Sequence, residues 1–191
     1  MTSETTHAPS FQQSTITELP PMPARFHFVG IGGISMSGLA RILHDWGYAV
    51  TGSDRQASAA TDLLRKLGIE VQIGHEDGAL AGQADVLVVT PRAIPGAPNE
   101  IRAAVENDAE IVRRGQLLGM IANARVNIAA SGSHGKSTTS GMLTSALTEL
   151  GAATTVVEYA DRLMPMQVDA GGGEALRRIV ESLGVEVRTG T

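Results

Sequence analysis

Phe26-His27-Phe28-Val29-Gly30-Ile31-Gly32-Gly33-Ile34-Ser35-Met36-Ser37-Gly38 is a short apolar run that breaks into glycines and resumes as a helical pattern. Such a strand, tight turn and helix is the opening of a β-α-β unit, in which the turn brings free backbone N–H groups and the positive end of a helix dipole to one point. Gly30, Gly32 and Gly33 allow sharp turning and close approach of a ligand to the backbone. A dinucleotide fingerprint, G-x-G-x-x-G, would place its third glycine at Ser35, so the generic pattern is met imperfectly. Asp54 ends the next apolar run, about two dozen residues after Gly30, where a carboxylate accepts hydrogen bonds from a ribose or base. Glycines that serve only a strand-to-helix turn are the plainer alternative.

Working outward, apolar runs alternate with helical segments. Strands are expected over residues 25–30, 49–52, 70–73, 86–90, 110–112 and 125–130, with helices over 35–46, 59–67, 99–106 and 115–122. This alternation predicts an α/β fold, a Rossmann-like doubly wound parallel sheet, with nucleotide-facing loops at the carboxyl ends of the strands. Pro91, Pro95 and Pro98 mark residues 90–99 as an ordered loop. A domain boundary is expected near Asn123. Residues 25–123 then form the first domain, and residues 124–191 form the start of a P-loop ATP-binding α/β domain. Residues 1–24, Ser/Thr/Pro-rich, are expected as a disordered leader.

A second phosphate loop follows the boundary. Ile128-Ala129-Ala130-Ser131-Gly132-Ser133-His134-Gly135-Lys136-Ser137-Thr138-Thr139 runs from apolar residues through a glycine-rich turn into Gly-Lys-Ser and a helix reaching about Leu150. Backbone N–H groups of such a loop cradle phosphates, the lysine neutralises charge between the β- and γ-phosphates, and the serine hydroxyl can ligate Mg²⁺. The expected ATP contacts are Gly132, Ser133, His134, Gly135, Lys136, Ser137 and Thr138, with Lys136 also catalytic and Ser137 the metal ligand. The strict P-loop pattern fails at its first glycine, where Ala130 stands.

Both loops resemble those of the Mur ligase family. FHFVGIGGISMSGLARIL followed by GYAVTGSD is similar to the amino-terminal UDP-binding domain of its muramate:alanine ligases, which carry glycine at the position of Ser35. Ile73-Gly74-His75, the run ending Val88-Val89-Thr90, and Ile111-Val112-Arg113-Arg114 continue the likeness, and an extra Arg92 departs from it. The second loop resembles the family's ATP loop, usually written with threonine where Ser133 and Ser137 stand. The resemblance implies that Gly30, Gly32, Gly33, Ile34, Ser35, Met36 and Ser37 hold the diphosphate of UDP-N-acetylmuramate, with Asp54 near the uridine. It implies a cytoplasmic, ATP- and Mg²⁺-dependent ligase of peptidoglycan synthesis. In that reaction the muramoyl carboxylate attacks the γ-phosphate, and L-alanine captures the acyl phosphate.

After about residue 155 the Mur pattern gives way. Val156-Val157-Glu158-Tyr159-Ala160-Asp161-Arg162-Leu163-Met164-Pro165 and Gly184-Val185-Glu186-Val187 resemble the NAD-binding domain of FAD-dependent pyridine-nucleotide oxidoreductases, of the nitrite-reductase type. There the glutamate matching Glu158 binds the adenosine ribose, but the preceding glycine fingerprint falls on Gly135, Ser137 and Ser140, of which two fail. The tail can still complete a β-α-β unit. Because the family's further acidic metal ligands and its closing carboxyl-terminal domain do not follow, the chain is expected to be a truncated ligase, inactive by itself. An NAD- or FAD-dependent oxidoreductase fragment and a non-catalytic nucleotide-sugar-binding module are the rival readings.

Composition agrees with a nucleotide-binding globular protein. The 191 residues are 42% hydrophobic, enough for one ordinary core and part of another. A net charge of -5 argues against nucleic acid as a partner. With no cysteine there is neither a disulfide nor a thiolate metal site. No run approaches the roughly 20 apolar residues of a membrane span. His27 and His44 read as structural, and His75 reads equally as a solvated loop residue or a ligand contact.

Overall fold

The structure, a computed structural model, describes residues 11–125, 127–130, 133–158, 161–164 and 168–190, with the backbone alone at Lys136, Ser137 and Val157. The chain divides into two compact units, Met1–Asn127 and Ile128–Thr191.

In the first unit, strands and helices alternate: β1 (Arg25–Val29), α1 (Ile34–Asp45), β2 (Ala49–Asp54), α2 (Ala59–Lys66), β3 (Glu70–Ile73), β4 (Val86–Val89), α3 (Pro98–Glu106), β5 (Glu110–Arg113) and α4 (Arg114–Asn123). The five strands pair in parallel in the order β3-β2-β1-β4-β5. Side chains alternate faces along each strand, so a sheet covered on both sides needs two cores. Phe26, Phe28, Val86 and Val88 meet Met36, Leu39 and Leu43 of α1 and Leu117 and Ile121 of α4 on one face. Val29, Leu87, Val89 and Ile111 meet Ile101 and Ala104 of α3 on the other. The expected doubly wound parallel sheet is what forms.

Residues 90–99, expected as an ordered loop, contain one short 3-10 turn, Ile94–Gly96, before α3 begins at Pro98. Proline suits that first helical position because its missing N–H would have no intrahelical partner there.

Two expectations need correction. The stretch expected as a disordered leader is fastened to the sheet from residue 11 onward; residues 1–10 lie outside the described residues. Ser14 N–H donates to the Ile111 carbonyl of edge strand β5 at 2.9 Å. Gln116 Nε2 donates to the carbonyls of Ser14 and Ile16 at 3.0 and 2.8 Å, and the Tyr48 hydroxyl donates to the Pro20 carbonyl at 2.9 Å. Ile16 and Leu19 pack on the first core and Phe11 on the second. These few apolar residues and the free edge of β5 outweigh the polar composition around them.

The strand expected at 125–130 does not form: residues 125 and 127–130 carry no strand, and Val126 lies outside the described residues. A strand exists only as one partner of a pair. Among the described residues the second unit's sheet holds only β6 (Thr154–Glu158) and β7 (Val185–Thr189), which are parallel. Helix α5 (Lys136–Glu149) precedes β6, and α6 (Ala170–Ser182) makes the crossover from β6 to β7. Asp169 caps α6 by accepting from Gly172 N–H at 2.8 Å. The tail therefore completes the expected β-α-β unit.

Phe28 is fully buried and Ile34 is 71% exposed. Phe28→Ala is expected to destabilise the first unit by about 3–5 kcal/mol in denaturant unfolding, with Ile34→Ala changing stability by about 0.5 kcal/mol or less.

Candidate functional site: a cleft at the carboxyl edge of the sheet

Strand order reverses at β1, since β2 and β3 lie to one side of it and β4 and β5 to the other. Ligands of open parallel sheets bind in the crevice outside the strand carboxyl ends at this point. A cleft of about 460 Å³ lies there, lined among others by Gly30, Gly32, Asp54, His75, Thr90 and Arg92. Gly30 takes φ +79°, which lets the chain leave β1 and turn at once. Gly32 has a different reason to be glycine: a Cβ there would stand 2.8 Å from Asp54 Oδ2 and 3.1 Å from Thr61 Cγ2.

The first turn of α1 is open to an anion. Gly33 is its N-cap, no side chain caps it, and no acidic residue stands in the first turn. The N–H groups of Ile34, Ser35 and Met36 are first-turn donors that an α-helix leaves unpaired. Arg55 and Arg92, both exposed, bring positive charge to the cleft.

The individual site residues divide by orientation. Ile34 and Ser35 are exposed, and Ser35 Oγ accepts from Arg114 Nη1 at 3.2 Å. The Met36 side chain lies in the core. Ser37 is buried; its hydroxyl donates to the Ile34 carbonyl at 3.1 Å and its N–H to the Gly33 carbonyl at 2.8 Å, so both groups are committed to the helix. Asp54 faces the loop, with Oδ2 accepting from Gly32 N–H at 2.8 Å and Oδ1 from Gln56 N–H at 3.3 Å.

Behind the cleft wall lies a network centred on a buried carboxylate. Glu100, 1% exposed, stands in the first turn of α3 and turns inward against the sheet. Ser53 Oγ donates to its Oε2 at 2.8 Å, and His75 Nδ1 donates to its Oε1 at 2.9 Å. His75 Nδ1 is also 3.1 Å from Ser53 Oγ. His27 Nε2 lies 3.4 Å from Oε2 without the alignment of a hydrogen bond, and His27 Nδ1 meets Thr51 Oγ1 at 2.8 Å. Burial by itself would raise the Glu100 pKa, but His27, His75 and Ser53 together overcome it and hold the carboxyl below its ordinary value.

At the second loop, Gly135 is the N-cap of α5 with φ +80°, a conformation strained for any residue with a Cβ. No side chain caps α5, so its first amides are likewise open. Ser133, His134 and Thr138 are exposed, Gly132 lies outside the described residues, and of Lys136 and Ser137 only the helical backbone is described. The described residues contain no cluster of three His, Asp or Glu side chains that could hold a metal ion. A separate cavity of about 540 Å³ between α5, α6 and the β6-β7 sheet is walled by Val156, Val180, Leu183 and Val185. It is larger than the cleft, yet its surface is mostly apolar despite Thr144, Thr148 and Glu149, and it includes no residue of the second loop, so the chemistry favours the smaller site.

Two family models match on either side of this division. The model of the Mur ligase family, catalytic domain, matches residues 25–126, and that of the pyridine nucleotide-disulphide oxidoreductases matches residues 135–191. The UDP-N-acetylmuramate--L-alanine ligase of Psychrobacter sp. (strain PRwf-1) is 40% identical over 169 residues, which cover 87% of this chain and 35% of that protein. Its counterpart from Aquifex aeolicus (strain VF5) is 40% identical over 154 residues, covering 80% and 33%. The crystal structure of the UDP-N-acetylmuramate-alanine ligase of Thermotoga maritima superposes with a TM-score of 0.56 at 30% identity, covering 69% of this chain and 30% of that one. The UDP-N-acetylmuramate:L-alanyl-gamma-D-glutamyl-meso-diaminopimelate ligase from Neisseria meningitides gives 0.56 at 29% identity, covering 71% and 42%.

This chain belongs to the Mur ligase family. It spans about a third of the length of the curated relatives it matches. No described helix is long and apolar enough to cross a membrane.

Within this Mur ligase chain, sequence reasoning missed Glu100. A carboxylate in the first turn of a helix ordinarily complements the dipole at the surface. The available signal was on the strands: His27 and Ser53 are polar at inward positions of a sheet covered on both faces, and buried polar groups require a partner.

Glu100→Gln is expected to destabilise the first unit by about 1–3 kcal/mol near neutral pH. Because the folded carboxyl titrates below its ordinary 4.5, its contribution is fully present above that value and is lost as pH falls through the folded pKa. Unfolding free energies from pH 7 down to about 3 should fall less steeply in the variant than in the native chain.

Gly32→Val is expected to abolish binding of a nucleoside diphosphate in calorimetry, with the far-ultraviolet spectrum retained. Undiminished binding would remove the first loop from the site.

Proposed function

We propose that this chain acts in the ATP-dependent ligation of L-alanine to UDP-N-acetylmuramate, a cytoplasmic step of peptidoglycan synthesis. The carrying observation is the cleft at the strand-order reversal, where an uncapped helix start, a glycine turn and two arginines meet Asp54 and His75. The first-turn amides of α1 and the nearby guanidinium groups suit a diphosphate, and Asp54 and His75 lie toward the nucleoside side. The relatives support the sugar nucleotide more firmly than the amine. Two ligases whose names share UDP-N-acetylmuramate and differ in what is joined to it superpose equally well.

The residues after Gly135 fit the phosphates of ATP. A left-handed glycine followed by an uncapped helix start points amides at one place, and Lys136 and Ser137 follow in the order of a phosphate-binding loop. ATP supplies the phosphoryl group that activates the muramoyl carboxylate, with Mg²⁺ balancing the phosphate charge. Of this chain's residues, Lys136 would neutralise charge between the β- and γ-phosphates, Ser137 would offer the metal its hydroxyl, and Gly132, Ser133, His134, Gly135 and Thr138 would line the cradle.

The oxidoreductase reading has the tail behind it. Its glycine fingerprint is interrupted at Ser137 and Ser140, which leaves the Mur reading in front.

Calorimetry should show UDP-N-acetylmuramate binding more tightly than NAD, and preferential NAD binding would reverse the assignment. In the same instrument Lys136→Ala should weaken Mg-ATP binding by at least about tenfold, the equivalent of one charge-assisted contact. Unchanged ATP binding would count against the second loop.

A further inference from the structure

Glu100 is a buried carboxylate for which the proposed ligation has no direct use. Taking a carboxylate out of water is costly, and apolar residues of similar volume often replace a buried ionic group without loss of stability. Its partners differ in what they reach. Ser53 and His27 are buried, whereas the His75 side chain is 15% exposed and lines the cleft.

An ionised carboxylate only accepts hydrogen bonds, so the 2.9 Å contact between Glu100 Oε1 and His75 Nδ1 requires the proton on Nδ1. The neutral ring then has Nε2, on its far edge, as an acceptor. Position agrees with a nucleoside and not with phosphate. His75 follows β3, two strands from β1 and its loop, a lateral offset of about 10 Å. Asp54, at the end of β2, lies between them.

We infer that Glu100 is a positioning residue for the nucleotide cleft: through His75 Nδ1–H it fixes one tautomer and ring orientation, so that Nε2 accepts from a hydroxyl or ring N–H of the nucleoside. Ser53 completes the arrangement by donating to the other carboxylate oxygen. This role rests on the UDP-sugar reading of the cleft.

Two measurements test it. Nitrogen-15 spectra of histidine-labelled protein without ligand read the tautomer directly; His75 should be protonated at Nδ1 in the native chain and lose that single form in Glu100→Met, which removes the acceptor. Calorimetry with UDP and with UDP-N-acetylmuramate should show Glu100→Met and His75→Ala each weakening binding about tenfold, as for one hydrogen bond, with the double variant no weaker than His75→Ala alone. A loss confined to folding would lower the melting temperature and leave the His75 signal of the folded protein unchanged, which would overturn the inference. So would a native His75 protonated at Nε2, a result that needs no variant to fold. If the native chain shows the Nδ1 form but binds neither uridine compound, the UDP-sugar reading fails and the cleft role with it, while the Glu100–His75 coupling stands. Normal binding of the uridine compounds with His75 in the other tautomer leaves the UDP-sugar reading standing and overturns the positioning role.

Discussion

A parallel sheet cannot be closed by hairpins, so each strand of the first unit must be re-entered from the same end through a crossover. That constraint governs the rest of the molecule. It sends every loop that follows a strand to one edge, and the reversal of strand order at β1 separates the loops after β1 and β4 enough to leave a cleft. Gly30 and Gly32 work only because α1 must start immediately beyond β1 with its amides facing that opening. Edge strand β5 is the cost of the arrangement, and the segment beginning at Phe11 covers it through Ser14 and Gln116.

The same two-sided burial explains the polar centre of the unit. Along β1, Phe26 and Phe28 face one core, which places His27 and Val29 on the opposite side under α3. Val29 finds an apolar neighbourhood, and His27 finds Thr51 and Glu100. Burying a carboxylate there is tolerable because it receives hydrogen bonds from a strand and a loop, with a second strand's histidine beside it. His75 is where that network surfaces, so a group inside the fold and a group in the cleft are mechanically one assembly.

In the second unit a loop ending in left-handed Gly135 leads into the uncapped start of α5, while residues 127–130 have no strand partner among the described residues. The two family models adjoin near this loop, one ending at residue 126 and the other beginning at 135. Further on, α5 leads into β6, and α6 carries the chain to a parallel β7.

The sequence by itself determined the parallel α/β class, the positions of the helices and strands of the first unit, and the two glycine-rich turns that open α1 and α5. Those features are local: apolar periodicity, glycine at turns, and a Gly-Lys-Ser at a helix start are written in neighbouring residues. Only the tertiary structure decided that residues 11–24 pack on the sheet, that residues 125 and 127–130 carry no strand, that Ser37 turns back on its own helix, and that Glu100 lies inside. Most of these depend on partners distant along the chain, such as Gln116 for Ser14 and Ser53 and His75 for Glu100. A carboxylate at a helix start and a serine in a strand carry no mark of each other in sequence, and their hydrogen bond exists because α3 covers the face of the sheet on which the Ser53 hydroxyl lies.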